Sequence, residues 1–300
     1  MKKRQLGVSD LYVSELGFGT MSLPNDEQQA TDILHTAFEA GINFFDTADL
    51  YAAGKNEQLL APFLKEHRQD IVLATKVGNE MNSDGQTWSW NPSKDYIIEA
   101  VKKSCQRLGT DYIDLYQLHG GTMEDEVGET IEAFEQLKRE GIILQYGISS
   151  IRPNVIDRFL ENSAAVSVMM QYSVLDRRPE EWFPMIEKHG ASVITRGTIA
   201  KGLLTGDGTS SSKVAQGFAA YGEEDLRATL IELEETFDQL YSTSIHFNLQ
   251  NPVVATALIG ASTKEQLMDS IIAYERSTSI DDFLQLQKLT KKHQYEAHRP

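Results

Sequence analysis

An aspartate, a tyrosine, a lysine and a histidine stand at the ends of three short apolar runs in the first half of the chain. Asp46 and Tyr51 follow the first run, Lys76 ends the second, and His119 follows the third. A carbonyl group that accepts hydride needs a proton for its developing alkoxide, and a tyrosine hydroxyl, with an ordinary pKa of about 10, can donate it. A lysine ammonium beside such a phenol favours the tyrosinate and so eases the donation. A carboxylate would hold that lysine in place, and an imidazole could polarise the carbonyl oxygen.

Each of these residues also has an ordinary structural explanation when it is taken alone. Asp46 could cap a helix or lie in a loop, Tyr51 could be a packing residue, and His119 could be a core or loop histidine. Lys76 is the most unusual of the four because it ends an otherwise apolar segment. Together the four fill every role of a carbonyl-reduction site, so we interpret them as candidate catalytic residues, with Tyr51 as the general acid.

Eight apolar runs of strand length alternate along the chain with longer segments of helical spacing. The runs show no alternation of apolar and polar residues, which is typical of parallel strands covered on both faces. This eightfold alternation predicts an α/β fold with a single (β/α)₈ TIM barrel, in which chemistry lies at the carboxyl ends of the strands. A doubly wound open sheet is the competing topology, but the turn at 17–22 lacks the last glycine of its dinucleotide fingerprint. The predicted strands are 14–19, 42–45, 71–75, 113–118, 143–148, 166–170, 192–195 and 254–259.

Three segments lie outside this alternation. Residues 3–6 and 11–13 predict an N-terminal hairpin that could plug the bottom of the barrel, and a C-terminal helical extension follows the last unit. Residues 206–222 are rich in Gly, Ser, Thr and Ala and predict the most mobile loop, of a length typical of functional or disordered segments. No linker interrupts the pattern, so we expect one domain over residues 1–300.

Composition restricts the partners of the protein. The chain has 44 acidic and 28 basic residues, and its formal net charge of −16 disfavours binding to nucleic acids and anionic membranes. No apolar segment is long enough for a signal-peptide core or a membrane helix, which predicts a cytoplasmic protein. The single cysteine excludes an internal disulfide. The seven histidines are scattered, and none stands at ligand spacing with another ligand type at a strand end, so no metal site is expected.

Four segments of the sequence closely resemble the aldo-keto reductase family, within a similarity that extends over residues 4–273. These segments are residues 41–51, 75–76, 109–119 and 147–150. The chain is most similar to the bacterial branch that also resembles potassium-channel β-subunits. The resemblance implies the TIM barrel and carbonyl reduction with a nicotinamide dinucleotide. It identifies Asp46, Tyr51, Lys76 and His119 with the catalytic tetrad of the family.

The resemblance also implies an extended NADPH or NADP bound across the strand ends, with NADH the less favoured alternative. Ser149 and Gln171 would hold the carboxamide, and Tyr172 would stack on the nicotinamide ring. The glycine-rich loop 197–206 would wrap the pyrophosphate, and Ser262, Lys264 and Gln266 would lie around a 2′-phosphate at a helix N-terminus. The candidate cofactor-binding residues are Ser149, Gln171, Tyr172, Arg196, Gly197, Ile199, Gly202, Leu204, Gly260, Ser262, Lys264, Gln266, Asp269 and Ser270.

Several of these positions depart from the usual family residues. Arg196 and Gly197 replace a common Tyr-Ser pair, and Arg196 could face phosphate or substrate or be a surface charge. Asp269 and Ser270 replace the Glu and Asn that contact adenine in the family. The segment could also be a plain helix capped by Thr263.

The substrate side is defined only by apolar residues in loops. Met21, Trp88 and Trp90 are the candidate pocket residues for a hydrophobic aldehyde or ketone, with Leu50 and Phe218 as further candidates. A tryptophan in a loop is as often a packing anchor, so both interpretations stay open.

Two functions from different classes follow. The first is an NADPH-dependent oxidoreductase that reduces a small-molecule carbonyl compound to an alcohol, acting as a monomer or weak homo-oligomer. The second is an NADPH-binding, redox-sensing regulatory subunit with slow turnover, which the resemblance to channel β-subunits suggests. A metal-free TIM-barrel hydrolase is a third, but it leaves the pairing of lysine and tyrosine unexplained.

Overall fold

A computed structural model describes residues 1–82 and 84–300, and its centre is a closed barrel of eight parallel strands. The first and last barrel strands are joined because β3 pairs with both β4 and β12. The strands are β1 (Lys3–Gln5), β2 (Tyr12–Ser14), β3 (Leu16–Gly19), β4 (Phe44–Asp46), β5 (Val72–Val77), β6 (Asn79–Met81), β7 (Trp88–Trp90), β8 (Ile113–His119), β9 (Ile143–Ser149), β10 (Ser167–Gln171), β11 (Ser192–Arg196) and β12 (Val254–Ile259). Of these, β1 and β2 form an antiparallel hairpin, as do β6 and β7, and the other eight form the barrel. The predicted TIM barrel is confirmed, and the open-sheet alternative is wrong.

Helices surround the barrel and begin and end at recognisable signals. Ser93 caps its helix by accepting a hydrogen bond from the Tyr96 amide, and Gly109 ends that helix in the left-handed conformation. Pro153 opens another helix in its first turn, where its missing N–H costs nothing. The helices are α1 (Glu27–Glu39), α2 (Lys55–His67), α3 (Lys94–Leu108), α4 (Val127–Arg139), α5 (Pro153–Glu161), α6 (Phe183–Lys188), α7 (Glu223–Thr236), α8 (Leu240–Leu249), α9 (Lys264–Glu275) and α10 (Ile280–Leu289). The last of these is the predicted C-terminal extension.

The N-terminal hairpin closes the bottom of the barrel, as the sequence predicts. Leu6 and Val13 are fully buried and pack with the side chains inside the barrel. Gly7, at φ +55°, lies so close to the barrel floor that a Cβ there would come within 2.4 Å of the Val166 carbonyl oxygen. This close approach requires glycine, because a larger residue would push the hairpin away from the bottom of the barrel.

The predicted barrel strands agree with the structure to within two residues at each end. The second barrel strand starts at Phe44 rather than at residue 42 because Asn43 is bonded to the hairpin. Its side chain accepts from the Ser14 amide over 2.6 Å and donates to the Tyr12 carbonyl over 2.9 Å. The hairpin of β6 and β7 was not predicted, since its residues have no regular apolar alternation.

Residues 206–222 are mostly exposed but are anchored to the rest of the protein at a few points. Val214 is fully buried, and Phe218 is nearly so. The amide and hydroxyl of Thr209 both donate to the carboxylate of Glu234, at 3.1 and 2.7 Å. These contacts tie the segment to α7. No helix among the described residues is both long enough and apolar enough to span a bilayer.

Candidate active site

Lys76 and Asp46 form a buried ion pair at the carboxyl ends of β5 and β4. The Lys76 ammonium donates to Asp46 Oδ2 over 2.6 Å, to the Thr47 carbonyl oxygen over 2.7 Å and to the Tyr51 hydroxyl over 3.4 Å. All three N–H donors of the ammonium therefore have an oxygen to bond. Burial alone would lower the pKa of Lys76, but the charge of Asp46 and the oxygen of Tyr51 outweigh it and raise that pKa. The amine is thus held as a cation without contact with bulk water.

The carboxylate of Asp46 is also held from β8, the strand beyond that of Lys76. Its second oxygen, Oδ1, accepts a hydrogen bond from Gln117 Nε2 of β8 over 3.2 Å. Register places Asp46 beside Ala74 on β5, and Lys76 beside Gln117 on β8. Because these strands are rigid parts of the barrel, the ion pair has one defined position at the barrel mouth.

A tight turn presents the hydroxyl of Tyr51 above this ion pair. Ala52 and Ala53 follow it in the left-handed conformation, at φ 48° and 53°, which is unusual for residues other than glycine. The turn is held by Asn56, which accepts from the Thr47 hydroxyl over 2.8 Å and donates to the Thr20 carbonyl over 2.8 Å. Backbone strain is therefore concentrated next to the candidate acid, where anchoring by Asn56 maintains it.

His119 completes the group as a neutral imidazole. Its ring stands edge-on to that of Tyr51, with the ring centroids 6.1 Å apart. Burial, and then the charges of Lys76 and Arg196, lower the pKa of His119 to about 3. Its Nδ1 is buried and has no hydrogen-bond partner among the residues that the structure describes. A neutral ring carries one N–H, so it can donate one hydrogen bond to a substrate oxygen but does not act as a cation.

A cavity of about 1660 Å³ opens over these residues at the carboxyl end of the barrel. Asp46, Tyr51 and His119 line it, and Lys76 lies buried beneath them. Small-molecule pockets generally have volumes of roughly 300–1,000 Å³. The cavity therefore has room for a ligand much longer than a small carbonyl compound.

Most of the predicted cofactor-binding residues line this cavity, but three do not. Tyr172 is buried in the core with its ring against Phe183 and Phe247, and its hydroxyl donates to Glu180 over 3.1 Å. Tyr172 therefore cannot stack on a ligand in the cavity, and this assignment was wrong. Leu204 is likewise a fully buried core residue, and Lys264 is an exposed residue outside the cavity. The predicted residues that do line it are Ser149, Gln171, Arg196, Gly197, Ile199, Gly202, Gly260, Ser262, Gln266, Asp269 and Ser270.

Arg196 is exposed and lines the cavity. It ends β11, and its Nη1 donates to Gln171 Oε1 over 3.2 Å. Its side chain is exposed at the opening of the cavity, so its contact with a ligand stays a prediction. Lys201 and Lys213 are among the other cations that line the cavity, and the Lys213 ammonium donates to the Lys201 carbonyl over 2.6 Å.

A buried carboxylate that the sequence analysis missed fixes Gln171. Gln171 Nε2 donates to Asp176 Oδ2 over 2.8 Å, which turns its Oε1 toward Arg196. Asp176 also accepts two hydrogen bonds from Arg178, at 2.8 and 2.6 Å, and lies 3.4 Å from His293 Nε2. Burial alone would raise the pKa of Asp176, but these hydrogen bonds outweigh it and lower the pKa to about 2. No local sequence pattern predicts this network, because one of its members, His293, lies in the C-terminal tail.

The far end of the cavity lies along α9. Thr263 caps this helix by accepting from the Gln266 amide, as the alternative interpretation of the segment expects. The Gln266 side chain accepts from both the amide and the hydroxyl of Ser262, each over 3.0 Å. Ser270 is hydrogen-bonded to the Tyr241 hydroxyl and donates to the Gln266 carbonyl over 3.0 Å. The Ser262 amide and hydroxyl at this helix N-terminus are thus both bonded to Gln266.

The predicted substrate residues form an apolar part of the cavity wall. The Trp90 ring covers the backbone just after β5 and β8, since a Cβ on Gly78 would lie 2.6 Å from it and one on Gly120 would lie 3.1 Å from it. Its Nε1 donates to Asp125 Oδ1 over 2.8 Å, which fixes the ring. Trp90 is therefore both a wall and a packing anchor. The other apolar residues of this wall are Met21, Leu50, Trp88 and Phe218.

Comparisons with known proteins agree with this geometry. The model of the aldo/keto reductase family matches residues 15–291. The chain is 50% identical to the uncharacterized oxidoreductase YqkF of Bacillus subtilis, and the alignment covers 100% of both chains. The holo form of the aldo-keto reductase AKR11C1 from Bacillus halodurans has the same fold, with a TM-score of 0.93, 51% identity and 100% of both chains covered.

Two more distant relatives carry names that bear on function. One is the NADH-specific methylglyoxal reductase of Escherichia coli, 28% identical over 94% of this chain and 96% of its own length. The other is a probable voltage-gated potassium channel subunit beta from Arabidopsis thaliana, 27% identical over 92% of both chains. The similarity to both groups agrees with the resemblance seen in the motifs.

Proposed function

Because the chain belongs to the aldo/keto reductase family, we propose that it is a cytoplasmic, NADPH-dependent oxidoreductase that reduces aldehydes or ketones to alcohols. One observation carries the proposal. The buried Lys76 ammonium touches both Asp46 and the Tyr51 hydroxyl beneath a large cavity, beside a neutral His119.

The cavity fits an extended dinucleotide. Its volume of about 1660 Å³ exceeds what a small substrate needs. Gly202 and Gly206 line it at φ 91° and 100°, and a Cβ on either would meet nothing within 4 Å, so the backbone there is open to a ligand. Lys201 and Lys213 place positive charge beside these glycines in a chain whose net charge is −16. We assign this part of the cavity to the pyrophosphate.

The nicotinamide end would lie over the strand ends. Ser149 and Gln171 would hold the carboxamide, and Asp176 keeps the Gln171 amide in one orientation. Arg196, hydrogen-bonded to Gln171, would contact the same end of the cofactor. When bound, the reduced cofactor supplies the hydride for the carbonyl carbon.

The residues of the chain then handle the oxygen of the carbonyl group. Tyr51 donates its hydroxyl proton to that oxygen as negative charge develops on it. The Lys76 ammonium, 3.4 Å from the Tyr51 oxygen, stabilises the tyrosinate that remains. Asp46 holds Lys76 in place over 2.6 Å. Neutral His119 donates a hydrogen bond that orients and polarises the carbonyl, and oxidation of an alcohol is the reverse of these steps.

The proposed preference for NADPH over NADH depends on the residues that would meet the 2′-phosphate. Ser262 and Gln266 line the cavity at the N-terminus of α9, a favourable place for a 2′-phosphate, whereas Lys264 lies outside the cavity. A family relative is named as NADH-specific. Measuring kcat/KM with both cofactors decides this point, and we expect NADPH to give the higher value.

The experiment that tests the proposal follows the absorbance of NADPH with a reactive aromatic aldehyde and identifies the product. Formation of the alcohol in a 1:1 ratio to oxidised cofactor supports the enzyme. A redox-sensing subunit, which the similarity to a channel β-subunit suggests, would instead retain its cofactor through purification and turn over slowly. The complete set of four residues around an accessible cavity favours the enzyme.

A further inference from the structure

Two histidines and a glutamate meet on the outside of the barrel, between α1 and α2. His35 belongs to α1, and Glu66 and His67 are the last two residues of α2. One ligand atom from each lies within 4.8 Å of the other two. Spacing along the chain does not reveal this set, because His35 and His67 lie 32 residues apart in sequence.

The distance between the two imidazole nitrogens also fits two ligands of one ion. His67 Nε2 lies 3.3 Å from His35 Nδ1, where one ring donates a hydrogen bond to the other. Two nitrogens bound to one tetrahedral zinc ion at about 2.0–2.1 Å are themselves about 3.3–3.4 Å apart. The two nitrogens thus already stand at the spacing of two ligands of one ion.

Glu66 can supply the third ligand with a small movement. Its Oε2 lies 4.0 Å from His67 Nε2, and its side chain is 64% exposed, so its rotamer is free to change. The side chain of His67 is only 21% exposed. The carboxylate can therefore close on an ion that the imidazoles have positioned.

Aromatic packing holds both imidazoles in place. The His67 ring lies against Phe38, with centroids 4.2 Å apart, and against Phe63, with centroids 5.0 Å apart. The His35 ring meets Phe63 edge-on at 5.4 Å. Side chains that are ordered before binding lose little entropy when an ion binds. The C-terminal end of α2, where His67 lies, also carries a partial negative charge that favours a cation.

We propose that His35, Glu66 and His67 form a binding site for a divalent transition-metal ion of the zinc class, with water in the remaining coordination position. Two imidazole nitrogens and one carboxylate oxygen are a ligand set that zinc accepts and that magnesium and calcium do not favour. When the ion binds, the histidine that donates between the two rings would shift to its other tautomer, with its proton on the other ring nitrogen. Both ligating nitrogens would then offer a lone pair to the ion. No oxidation or net proton loss is needed.

The site would stabilise the fold rather than take part in catalysis. None of the three residues lines the large cavity. Helices of such barrels run from the carboxyl to the amino ends of the strands, so the end of α2 lies far from the barrel mouth. An ion here would tie α1 to α2, two helices that pack against each other, and would raise stability by mass action.

The test is a titration of the purified, metal-free protein with zinc chloride, followed by calorimetry and by thermal unfolding. We expect one ion per chain and a Tm that rises with zinc concentration, whereas magnesium chloride at the same concentrations has no effect. His35→Gln and His67→Gln should each lower the zinc affinity at least about tenfold. Glu66→Gln changes an exposed side chain, so it tests the third ligand without disturbing packing, and it should also weaken binding.

His189→Gln is the matched control. The side chain of His189 is about as exposed as that of His67, and it lies 3.9 Å from the carboxylate of Asp157. Among the described residues, however, it is not part of a group of three candidate metal ligands. This variant should bind zinc as the wild type does. The proposal is wrong if the wild type shows no saturable binding, if His35→Gln and His67→Gln bind as tightly as His189→Gln, or if magnesium stabilises as much as zinc.

Discussion

The Lys76 ammonium and the Asp46 carboxylate lie 2.6 Å apart, and 1% and 4% of their side-chain surfaces are exposed. A charge in such a place depends on its partner, because removing one leaves the other buried and uncompensated. The pair is therefore a structural unit as well as a part of the candidate site, and the two roles can be separated by mutation.

Lys76→Met should lower the free energy of unfolding by about 3–5 kcal/mol, since it strands the Asp46 carboxylate in the barrel mouth. Asp46→Asn combined with Lys76→Met removes both charges and should recover most of that loss. Denaturant unfolding of both variants measures this. Neither should reduce aldehydes at a measurable rate. A double variant as unstable as the single one would mean that the charge of Asp46 is not the cause.

The pH dependence of kcat/KM should show no titration of the His119 imidazole. Its pKa of about 3 means that the ring stays neutral between pH 5 and 8. His119→Asn should reduce kcat/KM by roughly 10²-fold, as expected for losing one preorganised hydrogen bond, without changing the shape of the profile in this range. Measuring kcat/KM against pH for both proteins checks this. An inflection near pH 6.5 that only the wild type shows would contradict a neutral imidazole.

Asp49 should make the protein less stable as pH rises. Burial, and then the charge of Glu57, raise the pKa of Asp49 to about 7, and its Oδ1 is buried without a partner among the described residues. Between about pH 4 and 7 the folded chain therefore holds a proton that the unfolded chain has released, so the free energy of unfolding falls with rising pH. Asp49→Asn should remove this slope and stabilise the protein at pH 8 by on the order of 1–3 kcal/mol. Denaturant unfolding at pH 5 and pH 8 is the measurement. Equal slopes in both proteins would contradict it.

Asp176 should act on the cofactor through Gln171. Asp176→Asn weakens the bond of 2.8 Å that orients the Gln171 amide, so the Kd for NADPH should rise about tenfold while kcat changes little. Fluorescence titration with NADPH measures the Kd. Gln171→Ala is the control, because Asp176→Asn should have little further effect in that background. If Asp176→Asn weakened NADPH binding a further tenfold in the Gln171→Ala background, Asp176 would not be acting through Gln171.

The barrel and the four central residues could be predicted from the sequence because their signals are local. The barrel strands are rich in apolar residues, and Asp46, Lys76 and His119 stand at or near the ends of three successive strands. Side chains on a strand point alternately to opposite faces, which explains why Gln171 faces the cavity and Tyr172 the core. That alternation could have prevented the wrong assignment of Tyr172.

Contacts between distant parts of the chain could not be predicted in this way. Asp176 meets His293 of the tail, and His35 meets His67, through tertiary packing that no spacing reveals. The expectation of one domain over residues 1–300 stays a prediction, although the pairing of β3 with β12 joins the two ends of the barrel.

The most direct test of Tyr51 as the general acid compares the wild type with Tyr51→Phe. The measurement is the loss of NADPH absorbance with a reactive aromatic aldehyde, with binding of NADPH checked separately for both proteins. We predict turnover by the wild type and a turnover rate about 10²- to 10⁴-fold lower in the variant, which keeps the aromatic ring but lacks the hydroxyl proton. A variant that turns over within a few fold of the wild type would contradict the role of Tyr51. If both proteins bind NADPH and neither reduces the aldehyde, the redox-sensing function would take the place of the enzyme.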